Sequence, residues 1–379
     1  MRIAYITIEN PNHRHSWSGT NYYILQSIRK HLGTTDTLGP VAPRITLFFL
    51  KALNQISLRF PGKRFDYRHS VMLSKACAKI IQQRLNREKY DLIIAPTGNA
   101  LIAYLNTDIP IVYIGDRTVA GAFNYHEQFR NLFAFSEKQS RETDKLALEK
   151  ASLVSFPSHW AGDSAIKDYG LAPEKVAVIP FGANLDEQPE FNPGTQKKGA
   201  VKLLFAGTNW KDKGGDIVLE AHAELKRRGI ASTLIICGSK PPVEINEADV
   251  IVEGFLNKDN PAEYKRLIDH FRTADFFILP TRYEAYGLVF CESAAYSLPV
   301  IATNTGGIPT IVKDGETGFL LPLEAGGKAY AEKIIIALEQ PGLLEKMRRK
   351  SYERYKEILN WDHWIGEFKT RLENAGLLK

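Results

Sequence analysis

In the stretch TRYEAYGLVFCESAAYSLPVIATNTGG, residues 281 to 307, Glu284 and Glu292 stand eight positions apart, one just ahead of an apolar helical pattern and one inside it. A carboxylate repels phosphate but accepts hydrogen bonds from hydroxyls. The apolar run DFFILPT, which reads as a strand, ends at Thr281, and the helical pattern begins near Tyr286. The N–H groups of Ala285, Tyr286, Gly287 and Leu288 then open the first turn, where unpaired donors and the helix dipole favour an anion. Gly287 lets a ligand approach the backbone closely. Glu292 shares a face with Ala285, Leu288 and Val289, and helical side chains lean toward the N-terminus, so both carboxylates can reach one ligand there. Phosphate-binding backbone flanked by two hydroxyl-binding carboxylates fits a nucleotide sugar, ribose on one side and hexose on the other. The plain alternative is a helix-start acid at Glu284 and a solvated Glu292, since the bare spacing is common. The apolar surroundings of Glu292 in GLVFCESAAYSL speak against that alternative, because a buried acid needs a partner.

The elements that must carry these residues alternate along the chain. Strand candidates are RIAYITI, YDLIIAP, PIVYIGD, SLVSFPS and KVAVIPFG, then VKLLFAG, STLIICG, DVIVEGF, DFFILPT and LPVIATN. Short apolar runs bounded by Gly, Pro, Asp or Ser and separated by helical stretches indicate buried parallel strands in βαβ units. The series occurs twice, on either side of GANLDEQPEFNPGTQKKGA, residues 182 to 200, whose Gly, Pro, Asn and charge mark a linker. The expected fold is α/β: two doubly wound, Rossmann-like domains, 1–183 and 184–360, facing across a cleft. Ligands of such sheets bind beyond the C-terminal strand ends, where residues 281 to 307 begin.

Length and composition agree. The 379 residues exceed what one core usually serves, and 44% hydrophobic with 24% charged residues is ordinary for a globular enzyme. Cys77, Cys237 and Cys291 form no C-x-x-C pair and offer neither a disulfide framework nor a zinc site, as in a reducing compartment. No run approaches a membrane span or a signal peptide, so a cytoplasmic protein is expected. The net charge of +6 is uneven: residues 1 to 89 hold 15 Lys and Arg against 4 Asp and Glu. The first domain is the one expected to meet something anionic.

The sequence resembles the retaining glycosyltransferases of family 4, with the GT-B fold, over most of its length. In the second half, LLFAGTNWKDKGGDIVLEAHAELKRRG is similar to that family's first strand, phosphate-lysine loop and helix. The segment ILPTRYEAYGLVFCESAAYSLPVIATNTGGIPTIVKDGETGFLL is similar to its E-x7-E region and Gly-Gly loop. WSGTNYYILQSI and SFPSHWAGDSAIKDYGLAPEKVAVIPFGAN resemble parts of its first domain. The resemblance implies that Glu292 holds the ribose hydroxyls, Glu284 the transferred sugar and Lys213 the diphosphate, offsetting charge on the leaving group. It implies hexosyl transfer by same-face attack assisted by the leaving phosphate, with no protein nucleophile. It also implies that the last helix, 361–379, containing Trp361 and Trp364, returns to the first domain.

Two positions depart from the pattern. Thr208 stands where an arginine is common, leaving Lys211 or the Thr208 hydroxyl to substitute, and Thr310 stands where an acid is common. Gly306 and Gly307 let the backbone approach sugar or phosphate, or merely form a helix-entry turn. Phe255, Leu256 and Lys258 are expected near the base of the donor, a UDP- or GDP-sugar. No D-x-D pair occurs, so charge stabilisation without a metal ion is expected, and no cofactor beyond the donor.

In the first domain, Gly19 follows the first strand and either touches the diphosphate or acceptor or is a turn glycine. Asp116, ending PIVYIGD, is placed to orient the acceptor hydroxyl or the donor sugar. Residues 44 to 69 have apolar positions near helical spacing amid Lys51, Arg59, Lys63, Arg64 and Arg68. The ordinary account is a core-packing helix with a solvated basic side. The sharper one is a basic amphipathic surface on anionic lipid at the inner face of the membrane. Nucleic acid is not expected, since no stacking motif accompanies the charge. The acceptor is a glycan, a lipid-linked group or a small molecule. A sugar-nucleotide epimerase of the same fold and a non-catalytic nucleotide-sugar binder are the rival functions.

Overall fold

The computed structural model of the chain describes every residue except 61, 124, 195–198 and 379. Part of the expected linker, 195–198, therefore lies outside the described residues. The chain divides into two compact units, Met1–Pro180 with Trp364–Lys379, and Phe181–His363.

The first unit is built on β1 (Arg2–Tyr5), β2 (Thr34–Thr37), β3 (Leu92–Pro96), β4 (Ile111–Ile114), β5 (Leu153–Phe156) and β6 (Val176–Val178). They lie in the order β2-β1-β3-β4-β5-β6, every pairing parallel. β3, β4 and β5 are buried at every residue. This is why they read as unbroken apolar runs: a parallel sheet covered on both faces has no wet side to alternate with. β2, of sequence TTDT, escaped the sequence reading because it is a polar edge strand.

The second unit carries β7 (Val201–Ala206), β8 (Ser232–Cys237), β9 (Val250–Gly254), β10 (Phe276–Leu279), β11 (Val300–Thr303) and β12 (Gly318–Leu321). Their order is β12-β11-β10-β7-β8-β9, again all parallel. The chain starts in the middle of this sheet, runs outward to β9 and returns beside β7 as β10. β7 and β10 therefore flank the topological switch point, where the loops after adjacent strands diverge and leave a crevice. β12, of sequence GFLL, also escaped the sequence reading, being short and headed by a glycine. A Cβ on Gly318 would lie 1.9 Å from the Val300 carbonyl oxygen, so the strand needs glycine there to pair with β11.

The helix Trp361–Asn374 begins at the end of the second unit, and from Trp364 onward it belongs to the first. Trp364 and Phe368 on it are fully buried, their rings stacked 4.7 Å apart. Among the described residues no helix is long and apolar enough to cross a membrane.

One expectation fails. Of the two accounts of residues 44 to 69, the core-packing one does not hold, since Leu50 is the one residue of the helix Arg44–Arg59 that is buried. Ile45, Phe48, Phe49, Leu53 and Ile56 are exposed. The helix meets its domain through Leu50 and the partly buried Leu47, which lie on the opposite side from the larger apolar stripe.

Candidate active site

The switch point of the second sheet brings Lys213 and Glu284 together. The loop after β7, GTNWKDKGG, folds onto itself: the Lys213 N–H donates to the Asn209 carbonyl at 3.0 Å and the Gly215 N–H to the Trp210 carbonyl at 2.8 Å. Two of the three glycines of this loop, Gly214 and Gly215, serve packing. Gly214 has φ +77°, and a Cβ on it would lie 2.2 Å from the carbonyl oxygen of Pro280, at the end of β10. A Cβ on Gly215 would lie 2.2 Å from the Trp210 indole, whose Nε1 donates to Asp216 at 2.7 Å. Only a side-chain-free backbone lets the β7 loop approach the β10 loop this closely.

Asp212 then ties the two loops together, a role the sequence reading missed. Its carbonyl accepts from the Arg282 N–H at 2.8 Å and from the Thr281 hydroxyl at 3.2 Å. Its carboxylate accepts from the Tyr283 hydroxyl and the Asn209 side-chain amide. Nothing in the spacing of KDK marks the middle residue as the tie, because Thr281, Arg282 and Tyr283 lie some seventy positions away.

Across this tie, Lys213 Nζ meets Glu284 Oε2 at 2.5 Å, both side chains mostly buried. The helix expected from Tyr286 begins two residues later, as Leu288–Ala295, with Gly287 as its left-handed N-cap at φ +99°. A Cβ on Gly287 would meet the Phe290 ring at 2.5 Å and Glu284 Cγ at 3.1 Å, so this glycine too is demanded by the fold of the turn. Glu292 is buried in the helix, and Lys258 Nζ, from the loop after β9, meets its Oε1 at 2.6 Å. The buried acid therefore has the partner that its apolar surroundings require.

Other expected residues divide. Thr208 and Lys211 are exposed on the Lys213 loop. Phe255 is exposed, whereas Leu256 is buried and has little surface to offer a base. The Tyr286 side chain is withdrawn into the core, its hydroxyl donating to the Phe181 carbonyl at 2.9 Å, so only its backbone can serve a ligand. Burial pushes the Tyr286 hydroxyl well above its ordinary pKa and raises the neighbouring Cys291 thiol to about 12, leaving both neutral. Of the two readings of Gly307, the geometry fits the helix-entry turn: its N–H donates to the Glu284 carbonyl at 3.2 Å, and a Cβ there would lie 2.3 Å from the Ala285 carbonyl oxygen. It is spent on closing the loop against its neighbour and does not turn its N–H to a ligand. Gly306 beside it adopts φ +54°, the turn conformation that admits this approach. Where an acid would stand at Thr310, the turn is instead held by Arg354, which donates to the carbonyls of Thr310 and Ile311.

In the first unit, the loop after β1 carries Trp17 and Ser18 at φ +49° and +55°, then Gly19 at φ +92° as N-cap of the helix Thr20–His31. Trp17 Nε1 donates to Asp116 Oδ2 at 3.1 Å, and Arg117 Nη1 lies 3.5 Å from Asp116 Oδ1. The loops after β1 and β4 are thus joined at Asp116. Two successive non-glycine residues in the left-handed region cost free energy that the surrounding contacts must offset, and such strain gathers at functional loops.

Comparison with known proteins agrees with this geometry. Residues 186–354 match the family model described as glycosyl transferases group 1, and residues 41–187 match that of glycosyltransferase family 4. The chain belongs to the family-4 type of glycosyltransferase. Among curated members, a D-inositol 3-phosphate glycosyltransferase of Rhodococcus jostii is 29% identical over 53% of this chain and 48% of its own. Its namesake in Gordonia bronchialis is 30% identical over 61% and 54%. The chain thus matches about half the length of these relatives. Among solved structures, a sucrose-phosphate synthase from Thermosynechococcus elongatus aligns with TM-score 0.72 at 19% identity, covering 99% of each chain. Anabaena HepE in complex with UDP and glucose aligns with TM-score 0.66 at 17% identity, covering 99% of this chain and 100% of its own. This likeness establishes the GT-B fold for the family-4 chain.

Proposed function

We propose that this protein transfers a hexosyl unit from a nucleotide-diphosphate sugar, a UDP- or GDP-sugar, to a hydroxyl acceptor, with retention of configuration and without a metal ion. The observation that carries the reading is the Lys213–Glu284 pair at the switch point of the second sheet, ahead of the helix Leu288–Ala295. Lys213 and the first N–H groups of that helix hold the diphosphate, and their charge stabilises the leaving group as it departs. Glu284 accepts from hydroxyls of the transferred sugar and Glu292 from those of the ribose, with Phe255 offering a face to the base. Binding of the donor redistributes the ion pairs: Lys213 turns from Glu284 to phosphate, and the carboxylate turns to the sugar.

In the step itself the acceptor oxygen bonds to the anomeric carbon on the face from which the diphosphate leaves. The bond from that carbon to the phosphate oxygen breaks, and the acceptor proton passes to the departing phosphate. The first unit would receive the acceptor, with Asp116 orienting its hydroxyl. The names of the relatives, D-inositol 3-phosphate glycosyltransferase and sucrose-phosphate synthase, favour a small phosphorylated acceptor, which the cationic first 89 residues would suit.

The test is nucleotide release from a panel of UDP-, GDP- and ADP-sugars, with a chelator present, with and without D-inositol 3-phosphate. One donor is expected to turn over, and Glu284→Gln and Lys213→Ala are expected to lower its rate by about a hundredfold or more. Failure of every donor to bind would overturn the site. Tight binding with no turnover under any condition would make the protein a nucleotide-sugar binder.

A further inference from the structure

The helix Arg44–Arg59 presents to solvent the side that an ordinary domain helix buries. Ile45 is 76% exposed, Phe48 70%, Ile56 62% and Phe60, just past its end, 73%. With Phe49 and Leu53 they follow the i, i+3, i+4 spacing of one helical face, so the exposed apolar surface is continuous. On the side of the helix that meets the domain, the Phe65 N–H donates to Asn54 Oδ1 at 2.9 Å, and the Phe65 ring lies 5.9 Å from that of the exposed Phe135. Phe133 stacks on Phe135, with Lys63 Nζ 5.9 Å from its centroid.

The charge on the helix itself has one sign. Arg44, Lys51 and Arg59 are exposed, and no described carboxylate pairs with them. Between Asp36 and Glu88 the sequence holds a single acid, Asp66, whose carboxylate is engaged by His69 Nδ1 at 2.6 Å and the Ser140 hydroxyl at 2.8 Å. Lys63, Lys75 and Lys79 add exposed cations on either side of that acid. A stripe of large apolar side chains edged by unpaired cations is complementary to a surface that is anionic outside and hydrocarbon beneath. A second copy of the chain would be a poor occupant. Two such faces brought together would oppose Arg44, Lys51 and Arg59 with their own kind and supply no acid in return.

We propose that the helix Arg44–Arg59, with Phe60, lies in the interface of an anionic lipid bilayer, its apolar stripe in the acyl boundary and its cations on the headgroups. The inference does not rest on the transferase reading, because vesicle binding is read without donor or acceptor.

The full chain would be sedimented with vesicles of phosphatidylcholine alone and with added phosphatidylglycerol, at low and high salt. It is expected to pellet with the anionic vesicles at low salt and to be released by high salt. Lys51→Gln with Arg59→Gln is expected to weaken binding about thirtyfold, from the loss of two headgroup contacts. Phe48→Ser with Phe49→Ser is expected to weaken it by about tenfold or more while leaving the thermal midpoint unchanged, since both rings are already in water. The proposal is overturned if the wild type stays in solution with anionic vesicles or binds neutral ones equally. It is overturned too if the serine variant binds as the wild type does, or if the protein is a dimer in solution that the serine variant splits.

Discussion

The helices Leu288–Ala295 and Arg44–Arg59 are both rich in apolar residues and have opposite fates. The first buries nearly everything it carries, down to the carboxylate of Glu292, which Lys258 neutralises. The second buries Leu50 and leaves two phenylalanines and two isoleucines in solvent, with its cations unpaired. Burial is decided by what stands opposite. Leu288–Ala295 is covered, with Phe290 against Phe277 of β10, whereas only the Leu47 and Leu50 side of Arg44–Arg59 meets a neighbour. At the second unit's candidate site the charges stand in pairs, Lys213 with Glu284 and Lys258 with Glu292, while the helix Arg44–Arg59 carries cations that no described carboxylate meets.

The largest effect should come from truncating the covered helix. Phe290→Ala removes a ring with no exposed surface and should cost about 3–5 kcal/mol, read as a lowered urea midpoint at unchanged slope. An undiminished midpoint would mean that the helix is not packed as described. Gly214→Ala comes next. Strain at φ +77° and the clash with the Pro280 carbonyl should cost about 2–3 kcal/mol and, by separating the two loops, should also reduce donor turnover. Retained stability and turnover would show that the loops need not approach so closely. Lys258→Ala leaves Glu292 buried without its ammonium and should cost about 1–3 kcal/mol. Adding Glu292→Gln should recover part of that loss, and strict additivity in the double-mutant cycle would argue that the pair is not coupled. The smallest effect is expected at Phe48. Its replacement by alanine should move stability by no more than about 0.5 kcal/mol in the absence of lipid, and a loss like that of Phe290 would erase the comparison.

How much of this was legible varied with the range of the interactions. Ten of the twelve strands among the described residues could be read from apolar runs bounded by turn residues, most plainly β3, β4 and β5, because covered parallel strands have no other pattern available. The polar edge strand β2 and the glycine-headed β12 could not, since pairing alone makes them strands. Glu284, Glu292 and Lys213 stood out by their places after strands and at a helix start. Asp212 did not, because its value lies in three partners on the other loop, Thr281, Arg282 and Tyr283, that only the folded sheet brings within reach. Gly307 drew notice as a glycine, but whether it faced a ligand or its own neighbouring loop depended on where Ala285 came to lie.

By itself, the sequence determined the repeated strand–helix series, the parallel sheets and the residue types offered at the candidate site, because these follow from local periodicity and from residue types at strand ends. Tertiary structure alone decided which lysine neutralises which glutamate, that Asp212 fastens the two loops, and that the apolar side of Arg44–Arg59 faces outward. Each of these depends on what lies across space from a residue, and an amphipathic pattern states that a helix has two unlike sides without stating which side the domain will cover.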